Sequence, residues 1–247
     1  MATQPINIPK SAAGLSTLAQ NIGESPEVAD AYVALLGALR LSRSLATGNS
    51  ILVTSAEPGE GKTTIAACLA VTASLAGQTV LLIDGDSRRS SLASAIGISE
   101  SVGLIELLLG RIQVDEAVHP VPALVDSPRA GLISVMAGGR QSAALLPAVD
   151  WVRTRSEFRS ICQTFDIVLL DSPPILAAND ALLLASVVDA ILLVVGAGSA
   201  NLDAVRHAKE QLDLVGTPVI GTVLNRFEPK AHGRWHRPYH SYNGSSR

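Results

Sequence analysis

The sequence predicts an α/β fold with a doubly wound, mostly parallel sheet. The first observation is alternation. Apolar runs at 51–55, 79–83, 132–136, 167–170, 190–195 and 219–224 read as strands, and helical stretches near 63–76, 90–109, 142–164, 179–187 and 201–214 lie between most of them. The second is composition: 47% of the 247 residues are hydrophobic but only 3% aromatic, so Val, Ile, Leu and Ala must carry the core. Aliphatic strands of that kind suit a parallel sheet buried on both faces. The third is placement. The segments richest in chemistry follow Ser55, end at Asp84 and Asp171, or follow Leu224, each at the carboxyl end of a predicted strand. Ligands of open α/β sheets bind at that end.

Taken in order, residues 1–24 are polar with Gly and Pro and read as a flexible N-terminal arm. Ser25-Pro26 starts a helix, with Ser25 as N-cap and Pro26 at the first helical position. Val28, Tyr32, Leu35, Leu36 and Leu39 form its apolar face, and Gly48 is read as its stop. The main domain then extends over 25–227. The most hydrophobic stretch, Ala181 to Ala197, is interrupted by Asp189 and divides into helix, turn and strand, so no membrane span is expected. Residues 228–247 form a basic tail without periodicity that is expected to be disordered; it carries Tyr239, Tyr242 and the histidines His232, His236 and His240. The histidines recur every four residues, but Gly233 and Pro238 oppose the helix a metal stripe needs.

A net charge of −3 gives no global basis for nucleic-acid binding. Cys68 and Cys162 fall inside predicted helices without motif spacing and read as buried thiols of a reducing cytoplasm.

Between the first strand and the first core helix lies SAEPGEGKTT, Ser55 to Thr64. Small residues and glycines let successive backbone N–H groups face phosphate oxygens, and the helix N-terminus adds its positive end. In this loop Pro58, Gly59, Glu60, Gly61, Lys62, Thr63 and Thr64 would cradle a nucleoside triphosphate. Lys62 would reach the β- and γ-phosphates, and the Thr63 hydroxyl would ligate Mg2+. Asp171, ending IVLLD, is the expected magnesium anchor, against the alternative of a turn aspartate before Ser172-Pro173-Pro174. Asp84 and Asp86 are two residues apart at a strand end, so both can face the site. Two adjacent anions need a cation or a proton to offset them, which makes either one a candidate base for a substrate hydroxyl. Arg88 would neutralise them or touch phosphate, or else stand on the surface.

SAEPGEGKTT, VLLIDGDSRRSSL, GLIELLLG and FDIVLLDSPP together resemble the bacterial tyrosine kinases of capsule and exopolysaccharide synthesis, a resemblance covering roughly Ser25 to Phe227. It implies a P-loop NTPase fold of the MinD/ParA-related type, with ATP and Mg2+ as cofactors. By position, Lys62, Asp84 and Asp86 would be catalytic, Thr63, Asp84 and Asp171 would hold metal, and Asn225 would read adenine or serve only as a strand-end turn residue. Tyr239 and Tyr242 would be phosphoacceptors presented to another subunit of a homo-oligomer, or plain tail residues. The implied partner is a membrane-embedded polysaccharide co-polymerase, which would recruit a cytoplasmic protein to the inner face of the plasma membrane. The alternative is a non-kinase, MinD/ParA-like ATPase switch docking to the same partner. Those ATPases carry a lysine five residues before the invariant one, and Glu57 stands there. The family's first helix carries two arginines used in ring assembly; Val33 and Leu36 occupy those places, after Asp30.

Overall fold

Aliphatic strands that alternate their side chains between two apolar layers make the centre of the protein. The computed structural model describes residues 14–42, 45, 48–86, 92, 102–121, 131–139 and 149–227. The strands are β1 (Ser50–Ser55), β2 (Val80–Asp84), β3 (Val118–Pro120), β4 (Ile133–Met136), β5 (Ile167–Asp171), β6 (Ala190–Gly196) and β7 (Val219–Asn225). They form one seven-stranded sheet in the order β3-β4-β2-β5-β1-β6-β7. All pairings are parallel except β3 with β4. Leu52, Leu81, Ile83, Val168, Leu170, Ile191 and Leu193 enter one apolar layer, while their neighbours Ile51, Val53, Val80, Leu82, Leu169 and Leu192 enter the other. That two-residue alternation within continuous apolar runs is what a sheet covered on both faces requires.

The helices are α1 (Gly14–Glu24), α2 (Pro26–Arg40), α3 (Lys62–Leu75), α4 (Leu104–Leu108), α5 (Val114–Ala117), α6 (Trp151–Cys162), α7 (Asp180–Ala185) and α8 (Leu202–Val215). Helix α3 is buried on nearly every side, from Ile65 through Ser74, because it lies between the sheet and the α1–α2 pair. An all-round apolar sequence is the expected signature of such a helix. Among the described residues no helix is long and apolar enough to cross a membrane.

Two expectations are corrected, and one element is new. Residues 14–24 are not an arm: Leu15, Leu18, Ala19 and Ile22 sit at i, i+3, i+4 and i+7 and are buried against the α3 layer. Helix α2 begins as expected at Ser25-Pro26 but stops at Arg40, well before Gly48. The expected apolar face of α2 is found: Leu36 and Leu39 are buried, with Val28, Tyr32 and Leu35 packed against the same layer, while Val33 is 60% exposed. Finally, β3 was not expected. It is a three-residue antiparallel edge whose Pro120, lacking an N–H, suits only such a position. The tail 228–247, with its tyrosines and histidines, lies outside the described residues, as do residues 1–13, Arg88, much of the expected helix at 90–109 and the first part, 142–148, of the expected helix at 142–164.

The amino end of the sheet is fastened by aspartates. Asp189 accepts from the backbone N–H groups of Asn49 and Ser50, each at 3.1 Å, and from the Ser50 hydroxyl. Asp166 accepts from the Thr79 N–H and hydroxyl at 2.7 and 2.8 Å. Gly48 belongs to this fastening rather than to a helix end, because a Cβ there would collide with the Asp189 carboxylate. Gly48→Ala is therefore expected to lower unfolding free energy by about 2 kcal/mol, through lost hydrogen bonds to a charged acceptor. Urea denaturation checks this, and a midpoint equal to wild type would contradict it.

Both cysteines are free and buried, as expected. Burial pushes the Cys68 thiol up to about 11, partly offset by its hydrogen bond with Tyr32, and the Cys162 thiol up to about 12. Neither thiol is a nucleophile at neutral pH.

Candidate active site

Because β1, β2, β5, β6 and β7 are parallel, their carboxyl ends meet on one side of the sheet. Ser55, Asp84, Asp171, Gly196 and Asn225 close these strands. Asp84 and Asp171 are register partners on adjacent strands, and Asp171 also pairs with Val53 of β1, just before the phosphate loop.

The loop from Ala56 to Gly61 turns from β1 into α3 through two left-handed residues, Gly59 (φ 85°) and Gly61 (φ 95°). Side chains there would be strained by chirality alone. Gly61 is constrained twice, since a Cβ would also run into the Asn225 amide. Gly61 is the N-cap of α3, so Lys62, Thr63 and Thr64 form its first turn with their backbone N–H groups at the helix's positive end. Lys62 is nearly buried, and Pro58 and Gly59 are exposed at the loop tip.

The aspartates are sequestered. Asp84 and Asp171 have no solvent exposure and Asp86 has 5%. The Asp86 N–H donates to Asp84 Oδ1 at 3.1 Å, folding the Asp84-Gly85-Asp86 turn over itself. The Gly85 N–H donates to the Asp171 carbonyl at 2.7 Å, and a Cβ on Gly85 would lie 2.6 Å from that oxygen. Glycine between the two aspartates thus lets the β2 and β5 ends touch. Neither carboxylate oxygen of Asp171 has a hydrogen-bond partner. Burial pushes this carboxyl up to about 7 and the Asp84 and Asp86 charges push the same way; the Lys62 ammonium and the Thr63 hydroxyl, nearby but outside hydrogen-bond geometry, pull it down.

A dry, partnerless carboxylate flanked by further acids suits a small hard cation, which prefers oxygen ligands and keeps several waters. Among the described residues no three His, Cys, Asp or Glu side chains converge as a cage. That matches magnesium practice, in which one or two carboxylates act together with substrate phosphates.

The structure brings Lys62, Thr63, Asp84, Asp86, Asp171 and Asn225 to one end of the sheet. Asn225, expected either to read adenine or to serve as a strand-end turn residue, ends β7 and faces the phosphate loop. Its amide donates to the Glu60 carbonyl at 2.8 Å, and its Oδ1 accepts from the Arg226 N–H at 2.9 Å. Sequence reasoning missed Arg226, whose guanidinium donates to the Gly59 carbonyl at 2.7 Å from a backbone at φ 58°. A positive φ at a residue other than Gly is uncommon, and nothing in VLNR announces it.

The chain matches the CobQ/CobB/MinD/ParA nucleotide binding domain over residues 51–241. It is 32% identical over 188 residues to the tyrosine-protein kinase YwqD of Bacillus subtilis, covering 75% of this chain and 76% of YwqD. It is 30% identical over 244 residues to EpsB of Ralstonia solanacearum, covering 95% of this chain but spanning only 31% of that longer protein. In structure it resembles the kinase domain of the Escherichia coli tyrosine kinase ETK, with a TM-score of 0.63 at 25% identity over 77% of this chain and 72% of that one. A nucleotide-binding domain over most of its length, with a tyrosine kinase as its relative across three quarters of it, makes the protein a member of the bacterial tyrosine-kinase family.

Proposed function

We propose that the protein is an ATP-dependent tyrosine autokinase regulating capsule or exopolysaccharide synthesis and export. The supporting observation is the juxtaposition of Asp84 and Asp171 on adjacent strand ends, beside the first turn of a phosphate-loop helix. ATP is the substrate, held by the loop's backbone N–H groups and by Lys62. Thr63, Asp84 and Asp171 would hold Mg2+, which when bound neutralises phosphate charge. The tyrosine hydroxyl oxygen forms its bond to the γ-phosphorus as the bond to the bridging β,γ-oxygen breaks and ADP leaves; Asp84 or Asp86 accepts the hydroxyl proton. The chain's contribution is chiefly orientation and charge compensation. The acceptors are Tyr239 and Tyr242, presented by another copy of the chain. A membrane-embedded polysaccharide co-polymerase is the proposed activator.

Incubation with labelled ATP and magnesium, with and without that partner, is the test. Labelled phosphotyrosine on Tyr239 and Tyr242, abolished in the double Tyr→Phe variant, is the expected result. Label that persists in that variant would remove the acceptor assignment. Phosphate release without phosphotyrosine would replace the kinase with an ATPase switch.

A further inference from the structure

An anion built into a loop that receives phosphates needs a reason to be there. Glu60 lies in that loop, between the two left-handed glycines, and is 4% exposed. Its carboxylate bridges two backbone donors from different parts of the chain. The Glu57 N–H donates to Oε2 at 2.9 Å, and the Gly196 N–H, at the end of β6, donates to Oε1 at 3.1 Å. The end of β6 passes the loop at van der Waals distance: a Cβ on Gly196 would lie 3.7 Å from Glu60 Cα. The backbone of the same loop is held from β7, by the Asn225 amide on the Glu60 carbonyl and by Arg226 on the Gly59 carbonyl.

We infer that Glu60 is a positioning residue: its side chain fastens the phosphate loop to the end of β6, fixing the loop's backbone donors in shape for nucleotide. Two N–H donors compensate its charge, so the carboxylate braces the loop without facing the phosphates uncompensated. The inference rests on the nucleotide-binding reading of the site. It adds a role that the loop motif does not contain, because the motif asks only for a permissive backbone at this position.

The test is equilibrium binding of fluorescent N-methylanthraniloyl-ADP, with magnesium, to the full chain, beside thermal melts of the same samples. Wild type binds; a wild type that fails to bind overturns the nucleotide reading itself. Glu60→Ala is expected to weaken binding about ten- to a hundredfold, the scale of two lost hydrogen bonds to a charged acceptor. Glu60→Gln should fall between, since an amide oxygen still accepts from one N–H while its NH2 group faces the other donor. Gly196→Pro, which removes the β6 N–H donor, should weaken binding on its own but add little to Glu60→Ala. A purely structural glutamate would lower the melting temperature without this non-additive loss of affinity. Wild-type affinity in folded Glu60→Ala overturns the inference. Should that variant fail to fold, wild-type affinity in Glu60→Gln does so.

Discussion

Asp171→Asn is expected to reduce autophosphorylation roughly a thousandfold while making the nucleotide-free protein more stable at pH 8, an unusual pairing of effects. Both halves follow from one carboxylate. With no solvent, no hydrogen-bond partner and two further acids nearby, its ionised form is held at a cost that shows as a rise to about 7. Between the ordinary aspartate value near 4 and this raised one, the folded state binds the proton that the unfolded state has released. Stability therefore falls as pH rises through that window, and above pH 7 the whole penalty, on the order of 4 kcal/mol, is present. Asparagine removes the charge and with it the pH dependence. Melts in EDTA between pH 4 and 8 should show the variant's advantage growing with pH. A difference that does not vary with pH would refute the argument. A cation reverses the sign, since it binds only the ionised form. Magnesium affinity should rise with pH up to about 7, with proton release on binding near pH 6 measurable by calorimetry in buffers of different ionisation enthalpy.

Lys62→Ala is expected to eliminate detectable phosphotyrosine and to weaken ATP binding at least about a hundredfold, on the scale of a buried charge pair left without its cation. The loss has two sources. One is the missing charge at the phosphates. The other is at Asp171, for which Lys62 is the largest influence favouring ionisation. Without it the carboxyl titrates higher still, and magnesium must displace a proton that is more tightly held. The two substitutions should therefore be strongly non-additive: Lys62→Ala with Asp171→Asn should bind magnesium-nucleotide little worse than Lys62→Ala alone. Additive losses in a double-mutant cycle would show that the residues act separately.

The fold class was legible because its governing physics is local. Period-two burial inside aliphatic runs, and glycines where φ must be positive, are written residue by residue. That Asp84 and Asp171 share one end of the sheet needed only the rule that parallel strands put their ends together; that their strands are adjacent came from the structure. Helix α1 was overlooked because Gly14, Ser16, Asn21 and Gly23 mask an i, i+3, i+4, i+7 stripe, and its stability comes from α3 rather than from propensity. Strand β3 is too short to have a period; its partner creates it. The destination of the Glu60 side chain was equally out of reach, since Gly196 lies 136 positions away and offers only a backbone N–H. Asn225 was placed correctly in space, but its partners depend on a backbone twist at Arg226 that composition does not reveal.

The aspartates at the two ends of the sheet give the molecule a chemical polarity with a cellular consequence. Asp166, at the amino end, receives its donors and is held below its ordinary range, so its contribution is present at neutral pH and fades in acid. Asp171, at the carboxyl end, does the reverse until a cation arrives. Asp166 thus favours the folded state at neutrality, whereas Asp171 without a cation favours it in mild acid. Under the proposed function, magnesium-nucleotide would act on this chain as a folding ligand, worth about 2.7 kcal/mol at a hundredfold excess over its dissociation constant. The proposed function would thereby tie the protein's folding stability to the supply of its own substrate.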